Sequence, residues 1–163
     1  MHKNIDKENM FKAIWDFPEN LLDAFKLSND IKINQKYNNI NNIVIAGMGG
    51  SAIGGDVVSI LENKNITIPL TTCRGYSLPN WVDENTLVIC SSYSGNTEEI
   101  LAAFDNAVKK NTMICGITTG GNLADKLRNN NQDFVIIPSG LQPRAALAFS
   151  FVPMIKIFQK IGI

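Results

Sequence analysis

Histidine is all but missing from this 163-residue chain: the one present is His2, in a segment expected to be mobile. With it go the Ser–His and Cys–His nucleophile pairs and any histidine-based metal centre; neither a metal nor a cofactor is expected. Cysteine is scarce too. Cys73, Cys90 and Cys115 lie far apart, inside or beside apolar runs. That is neither a metal-ligand spacing nor a disulfide framework, so a reducing, cytoplasmic setting is expected. Nor is there an excess of charge: 15 basic and 15 acidic residues leave a formal net charge of +0. Without a basic stripe, nucleic acid is not an expected partner. Long apolar runs are also absent. Met1-His-Lys-Asn4 leads into polar sequence, so neither a secretory leader nor a membrane partner is expected. What remains is a chain of single-domain length, 45% hydrophobic, with enough apolar residues for a core.

The most informative stretch is Ser91-Ser-Tyr-Ser-Gly-Asn-Thr-Glu-Glu99. It is entered from Thr86-Leu-Val-Ile-Cys90, a short apolar run that reads as a buried strand. It is left through Ile100, Leu101, Phe104, Ala107 and Val108, apolar at helical spacing. The hydroxyls and the glycine thus sit where a strand turns into a helix. A helix start offers unpaired N–H groups and the positive end of a macrodipole. Ser92, Ser94 and Thr97 add hydroxyl donors, and Gly95 lets the backbone approach a ligand, which makes an anion cradle. Ordinary N-capping accounts for one or two of those hydroxyls, not for three around a glycine. No lysine stands there, unlike a nucleotide-triphosphate loop, and a phosphate monoester is the natural guest.

A second strand-to-helix junction precedes it. Ile43-Val-Ile-Ala46 runs into Gly47-Met-Gly-Gly-Ser-Ala-Ile-Gly-Gly-Asp56, after which Val57, Ile60 and Leu61 mark a helical face. Gly49, Gly50 and Ser51 are the candidate ligand contacts of this turn. Gly49 and Gly54 have the spacing of a triphosphate loop, but Gly55-Asp56 stands where Lys-Ser/Thr should follow. Gly47, Gly49 and Ala52 approach the dinucleotide fingerprint, whose acidic ribose reader falls due in Ile66–Arg74, a stretch without a carboxylate. Arg74 could read a 2′-phosphate there, so NADP binding stays open as a lesser alternative. Close helix–sheet packing is another reason for the glycines.

Residues 1–42 read as N-terminal helices and a connector, and residues 43–163 as an α/β core. Met10, Phe11, Ile14 and Trp15 form one helical face and Leu21, Leu22 and Phe25 another, with a break at Phe17-Pro18. Periodicity leaves open whether these helices pack on the sheet or on a partner. Asn34–Asn42 is a polar connector. Further strands are expected at Thr112–Thr118 and Phe134–Ile137, with a short helix carrying Leu123 and Leu127 between them. Alternation of strand and helix predicts an α/β fold, a five-stranded parallel sheet flanked by helices in three layers. Ligands bind at the carboxyl ends of such strands, where both glycine-and-hydroxyl turns lie. Arg144 is expected to open the last helix at that same edge, within reach of an anionic substrate or a developing oxyanion. A surface arginine paired with a carboxylate is the plainer alternative.

Gly47–Asp56, Ser92-Tyr-Ser-Gly-Asn-Thr-Glu98 and Gln142-Pro-Arg-Ala-Ala146 together resemble the sugar isomerase (SIS) domain, and more narrowly the N-terminal half of the bifunctional phosphoglucose/phosphomannose isomerases. The resemblance implies a flavodoxin-like sandwich that binds a phosphorylated hexose. It matches Gly50 and Ser51 to a sugar-contacting turn, Ser92, Ser94 and Thr97 to the phosphate-holding hydroxyls, and Arg144 to an arginine that stabilises the enediolate. It also implies a second such domain that supplies a glutamate base, a ring-opening histidine and a lysine, none with a counterpart here.

Glu98 and Glu99 read as helix-start residues and not as the base. One reading is therefore the binding half of an isomerase acting on glucose 6-phosphate or mannose 6-phosphate and fructose 6-phosphate. The other is a sugar-phosphate-binding or regulatory SIS module without chemistry. Phe149, Phe151, Val152, Ile155, Ile157, Phe158 and Ile161 spread around the last helix more widely than one sheet-facing stripe needs. A homodimer with two-fold symmetry is expected from them.

Overall fold

A computed structural model describes residues 6–163; His2 lies outside the described residues. Five strands form one parallel sheet in the order β2-β1-β3-β4-β5: β1 Asn42–Gly47, β2 Leu70–Cys73, β3 Thr86–Ser92, β4 Met113–Thr118 and β5 Asp133–Ile136. Six helices complete the chain: α1 Met10–Trp15, α2 Phe17–Asn29, α3 Gly49–Leu61, α4 Glu98–Lys109, α5 Gly121–Asn129 and α6 Leu147–Ile161. Ile43–Ala46 of β1 and Leu87–Cys90 of β3 are unbroken apolar runs because both faces of these strands are covered. Ile43, Ile45, Leu87 and Ile89 point to one side, into a core shared with Val58, Met154 and Phe158. Val44, Val88 and Cys90 point to the other, against Ala103, Phe104, Leu123 and Leu127. The result is the expected sandwich, with α2, α6 and α3 on one face and α4 and α5 on the other.

Two helix starts differ from expectation. α3 begins at Gly49, so most of the glycine-rich stretch is helix and not a long turn. Tertiary packing outweighs the poor helix propensity of glycine there. A Cβ on Gly54 would lie 2.6 Å from the Cβ of Ser150 on α6, and one on Gly55 would lie 2.9 Å from Cγ2 of Ile45 on β1. α6 begins at Leu147, which leaves Arg144 in the turn before it.

The last helix also buries more of itself than one stripe. Phe149, Ile157 and Phe158 lie in the chain's own core, and Phe151, Val152, Ile155 and Ile161 are partly buried against it. α6 is wedged between α2 and α3 as well as lying on the sheet, so it needs apolar residues on three sides. The uncovered apolar surface is elsewhere: Phe11, Ile14 and Trp15 on α1, Leu22 and Phe25 on α2, Ile53, Ile60 and Leu61 on α3. The two N-terminal helices part at Asp16, with Pro18 in the first turn of α2. α2 packs on α6 and buries Ala24 and Ser28, whereas α1 buries nothing.

The asparagine-rich connector is pinned at the amino edge of the sheet. The carboxylate of Asp133, 5% exposed, accepts from the N–H groups of Asn34 (3.0 Å) and Gln35 (2.9 Å), from Asn34 Nδ2 (3.1 Å) and from the Tyr37 hydroxyl (3.0 Å). Burial, with Cys115 and Asp133 close by, pushes the Tyr37 phenol far above its ordinary pKa, so it stays a donor. Asp133→Ala strips the acceptor from four donors at once. Urea denaturation should show a loss of roughly 3 kcal/mol. A loss under about 1 kcal/mol would mean that packing alone holds the connector.

Candidate functional site

The sheet order reverses between β1 and β3, which leave in opposite directions to α3 and α4. In open parallel sheets the crevice at such a reversal is where ligands bind. Gly47 and Ser91 are register partners at the carboxyl ends of these two strands, so the helix starts that follow lie side by side. Neither start is capped by a side chain. In α3 the N–H groups of Ser51 and Ala52 turn back to the Met48 carbonyl at 3.1 and 3.3 Å, and those of Gly49 and Gly50 bond nothing among the described residues. In α4 the N–H groups of Ile100 and Leu101 take the Thr97 carbonyl, both at 3.0 Å, and those of Glu98 and Glu99 are left over in the same way. Both helices therefore aim unpaired donors and positive dipole ends at one crevice.

A third helix start, that of α5, is turned inward at two of its N–H groups. Its Asn122 N–H donates to Asn96 Oδ1 at 3.1 Å and its Leu123 N–H to the Gly95 carbonyl at 2.9 Å. The Thr118–Asn122 turn is thus the backing of the cradle and not a second cradle. Thr119 adds two bonds to the Tyr93 carbonyl, from its N–H at 3.1 Å and its hydroxyl at 2.7 Å. Gly95 makes this approach possible: its φ is +70°, and a Cβ there would stand 1.8 Å from the Gly120 carbonyl oxygen.

The predicted hydroxyls divide into two kinds. Ser92, 2% exposed, bonds Thr97 Oγ1 at 2.8 Å and accepts from the Gly95 N–H at 3.1 Å. It shapes the loop from within. Ser94 is exposed, with its Oγ accepting from the Asn96 N–H at 3.2 Å, and its proton is free for a ligand. Thr97 is the N-cap residue of α4, half-buried, bonded to Ser92 and not to its own helix. Ser51 on α3 is 6% exposed, yet its hydroxyl has no hydrogen-bond partner among the described residues. Unlike Asn20 Nδ2, that hydroxyl is not cut off from solvent, so it stays open to a ligand at the helix start.

Arg144 reaches this edge through a backbone contact. A Cβ on Gly50 would lie 2.7 Å from the Pro143 carbonyl oxygen and 3.3 Å from the Cα of Arg144. Gly50 therefore docks the arginine-bearing turn on the first turn of α3. The Leu141 N–H donates to the Tyr93 hydroxyl at 2.9 Å, which fastens the same loop to the phosphate-type cradle. The Arg144 side chain is exposed and makes no ion pair among the described residues. Arg74, the candidate 2′-phosphate reader, is ion-paired with Asp56 of α3. The three cysteines are free thiols, and burial pushes Cys115 up to about 12. Sequence reasoning missed the Thr118–Asn122 backing, although Thr119-Gly-Gly-Asn122 carries the same glycine-and-polar signature as the cradle it supports. A cleft of about 300 Å³ beside Leu27, Asp30 and Asp133 runs along the free flank of the edge strand β5 and shares no residue with the crevice.

No protein-family model matches the chain. The chain is similar to bifunctional phosphoglucose/phosphomannose isomerases. That of Caldicellulosiruptor bescii is 45% identical over 94% of this chain and that of Thermoplasma acidophilum 44% identical over 72%. The chain spans only 45% and 36% of those relatives' own lengths. Among solved structures, the C-terminal domain of glucosamine-fructose-6-phosphate aminotransferase from Francisella tularensis shares the fold. Its TM-score is 0.76 at 18% identity, covering 93% of this chain and 47% of that one.

The glycines of the two cradles predict different costs. Gly49, at φ +50° with open space around its Cβ position, should lose about 1 kcal/mol on substitution by alanine, from backbone strain alone. Gly95→Ala adds a backbone collision to similar strain and should cost roughly 3 kcal/mol or more. Equal losses in urea denaturation would show that the cradle does not rest on the Gly120 backbone.

Proposed function

We propose that this chain, a homologue of the bifunctional phosphoglucose/phosphomannose isomerases with an SIS-type sandwich, is the sugar-phosphate-binding domain of an aldose–ketose isomerase. The reaction would interconvert glucose 6-phosphate or mannose 6-phosphate and fructose 6-phosphate. The observation that carries this reading is the pair of uncapped helix starts converging at the β1/β3 crevice. A phosphate would take the N–H groups of Glu98 and Glu99 with the hydroxyls of Ser94 and Thr97, and Ser92 would hold that loop in shape. The sugar would lie toward Gly49, Gly50 and Ser51, and Arg144 would steady the enediolate oxyanion. We read residues 1–163 as one SIS domain. The glutamate, histidine and lysine that the resemblance assigns to a second domain have no counterpart in it, so binding without turnover is expected of this stretch alone.

Among the described residues no helix is long and apolar enough to cross a membrane. A cytoplasmic setting is inferred from the three free thiols, two of them buried. A homodimer is inferred from the exposed Ile53, Ile60 and Leu61 of α3, whose stripe extends along the outer face of the α2–α6–α3 layer.

Calorimetric titration with fructose 6-phosphate tests the binding. Ser94→Ala and Thr97→Ala each remove a charge-assisted hydrogen bond and should weaken affinity by about 10- to 100-fold, whereas Thr97→Ser should keep it. Unchanged affinity in both alanine variants would reduce the hydroxyls to capping residues. Brisk isomerisation by the pure chain would move the base to Glu98 or Glu99. For the dimer, light scattering at micromolar concentration should give twice the chain mass, and Ile60→Lys should halve it; a monomeric parent chain would contradict the association.

A further inference from the structure

One exposed aromatic ring at the rim of the crevice has no part in the core. Tyr76 lies in the loop between β2 and β3, just past the carboxyl end of β2, and is 58% exposed. The loop that carries it is fastened on both sides. Leu78 and Val82 are buried with Val44 and Ala46 of β1. The Leu78 N–H donates to Asn106 Oδ1 on α4 at 3.4 Å, and Lys110 Nζ donates to the Val82 carbonyl at 3.0 Å. On the other side Arg74 is ion-paired with Asp56 of α3. The short segment from Arg74 to Leu78 therefore joins the two helices whose starts frame the crevice, with Tyr76 at its middle. Gly75, at φ +143°, makes the bend before it. The Glu99 carboxylate, then desolvation, then the Glu98 carboxylate hold the phenol above its ordinary pKa. The phenol thus keeps its proton at neutral pH, and the ring stands on the carboxyl-edge loop that runs from β2 to β3.

A ring exposed on a fastened loop beside a polar site is available to a ligand bound there. The cradle recognises phosphate and would accept any phosphate monoester equally well. A hexose adds what phosphate lacks, a patch of C–H groups flanked by hydroxyls. An aromatic ring with a polar tip covers the first and bonds the second.

We propose that Tyr76 is a specificity-determining residue, the wall on which the hexose part packs once its phosphate is seated. It rests on the sugar-phosphate reading, and its test separates the two. Affinities of the parent chain, Tyr76→Ala and Tyr76→Phe are measured by calorimetry for fructose 6-phosphate and for inorganic phosphate, with melting temperatures as a control on folding. Tyr76→Ala should weaken fructose 6-phosphate about tenfold, the size of one lost ring contact, and leave inorganic phosphate within about twofold. Tyr76→Phe should stay close to the parent. Fructose 6-phosphate binding that is indifferent to Tyr76→Ala, or an equal loss for both ligands, overturns the inference while the sugar-phosphate reading stands. A parent chain that binds neither ligand overturns both.

Discussion

The approach of Gly95 to the carbonyl of Gly120 holds the carboxyl edge of this molecule together. At that point the loop after β3 lies against the turn after β4 with no room for a side chain between them. The contact lets Asn96 and Gly95 accept the N–H groups of Asn122 and Leu123, so the start of α5 is tied to the loop behind it. What is left for a ligand is the start of α4, and beside it the start of α3. Peptide dipoles aligned in two neighbouring helices favour an anion without any lysine in the loop. Bringing two such positive ends together is unfavourable in an empty site, which is one reason that Glu98 and Glu99 suit the first turn of α4.

Much of this arrangement was legible in the sequence. β1 and β3 declare themselves because strands buried on both faces are apolar without alternation. The hydroxyl cluster from Ser92 to Thr97 stands out because a simple cap needs fewer groups. Pro18 marks the break between α1 and α2 because it restricts the residue before it. The β5–α6 loop leaves from the carboxyl edge as the parallel topology requires, and Gly50 is what lets its backbone settle at the start of α3.

The rest was hidden for physical reasons. Gly54 and Gly55 argue locally against helix, and only the nearness of Ser150 and Ile45 explains why α3 runs through them. The same packing makes α6 apolar on three sides, which from sequence alone resembles an exposed interface. The surface that is uncovered, on α3, is short of signal because Ile53, Ile60 and Leu61 have the spacing of a core stripe. Asp133 and the connector it pins are nearly a hundred positions apart, and nothing in either neighbourhood announces the other. Sequence patterns report which residues are buried far better than which elements bury them.

The central claim is that a phosphorylated hexose enters the β1/β3 crevice against two helix starts at once. Backbone amide chemical shifts of the labelled chain, followed by NMR as fructose 6-phosphate is added, test it most directly. The account predicts saturating shifts at Gly49, Gly50 and Ser51 together with Ser94, Glu98 and Glu99, and none at the connector around Asn34 and Gln35. Shifts confined to the amino edge of the sheet, or no saturable shifts at all, would contradict it.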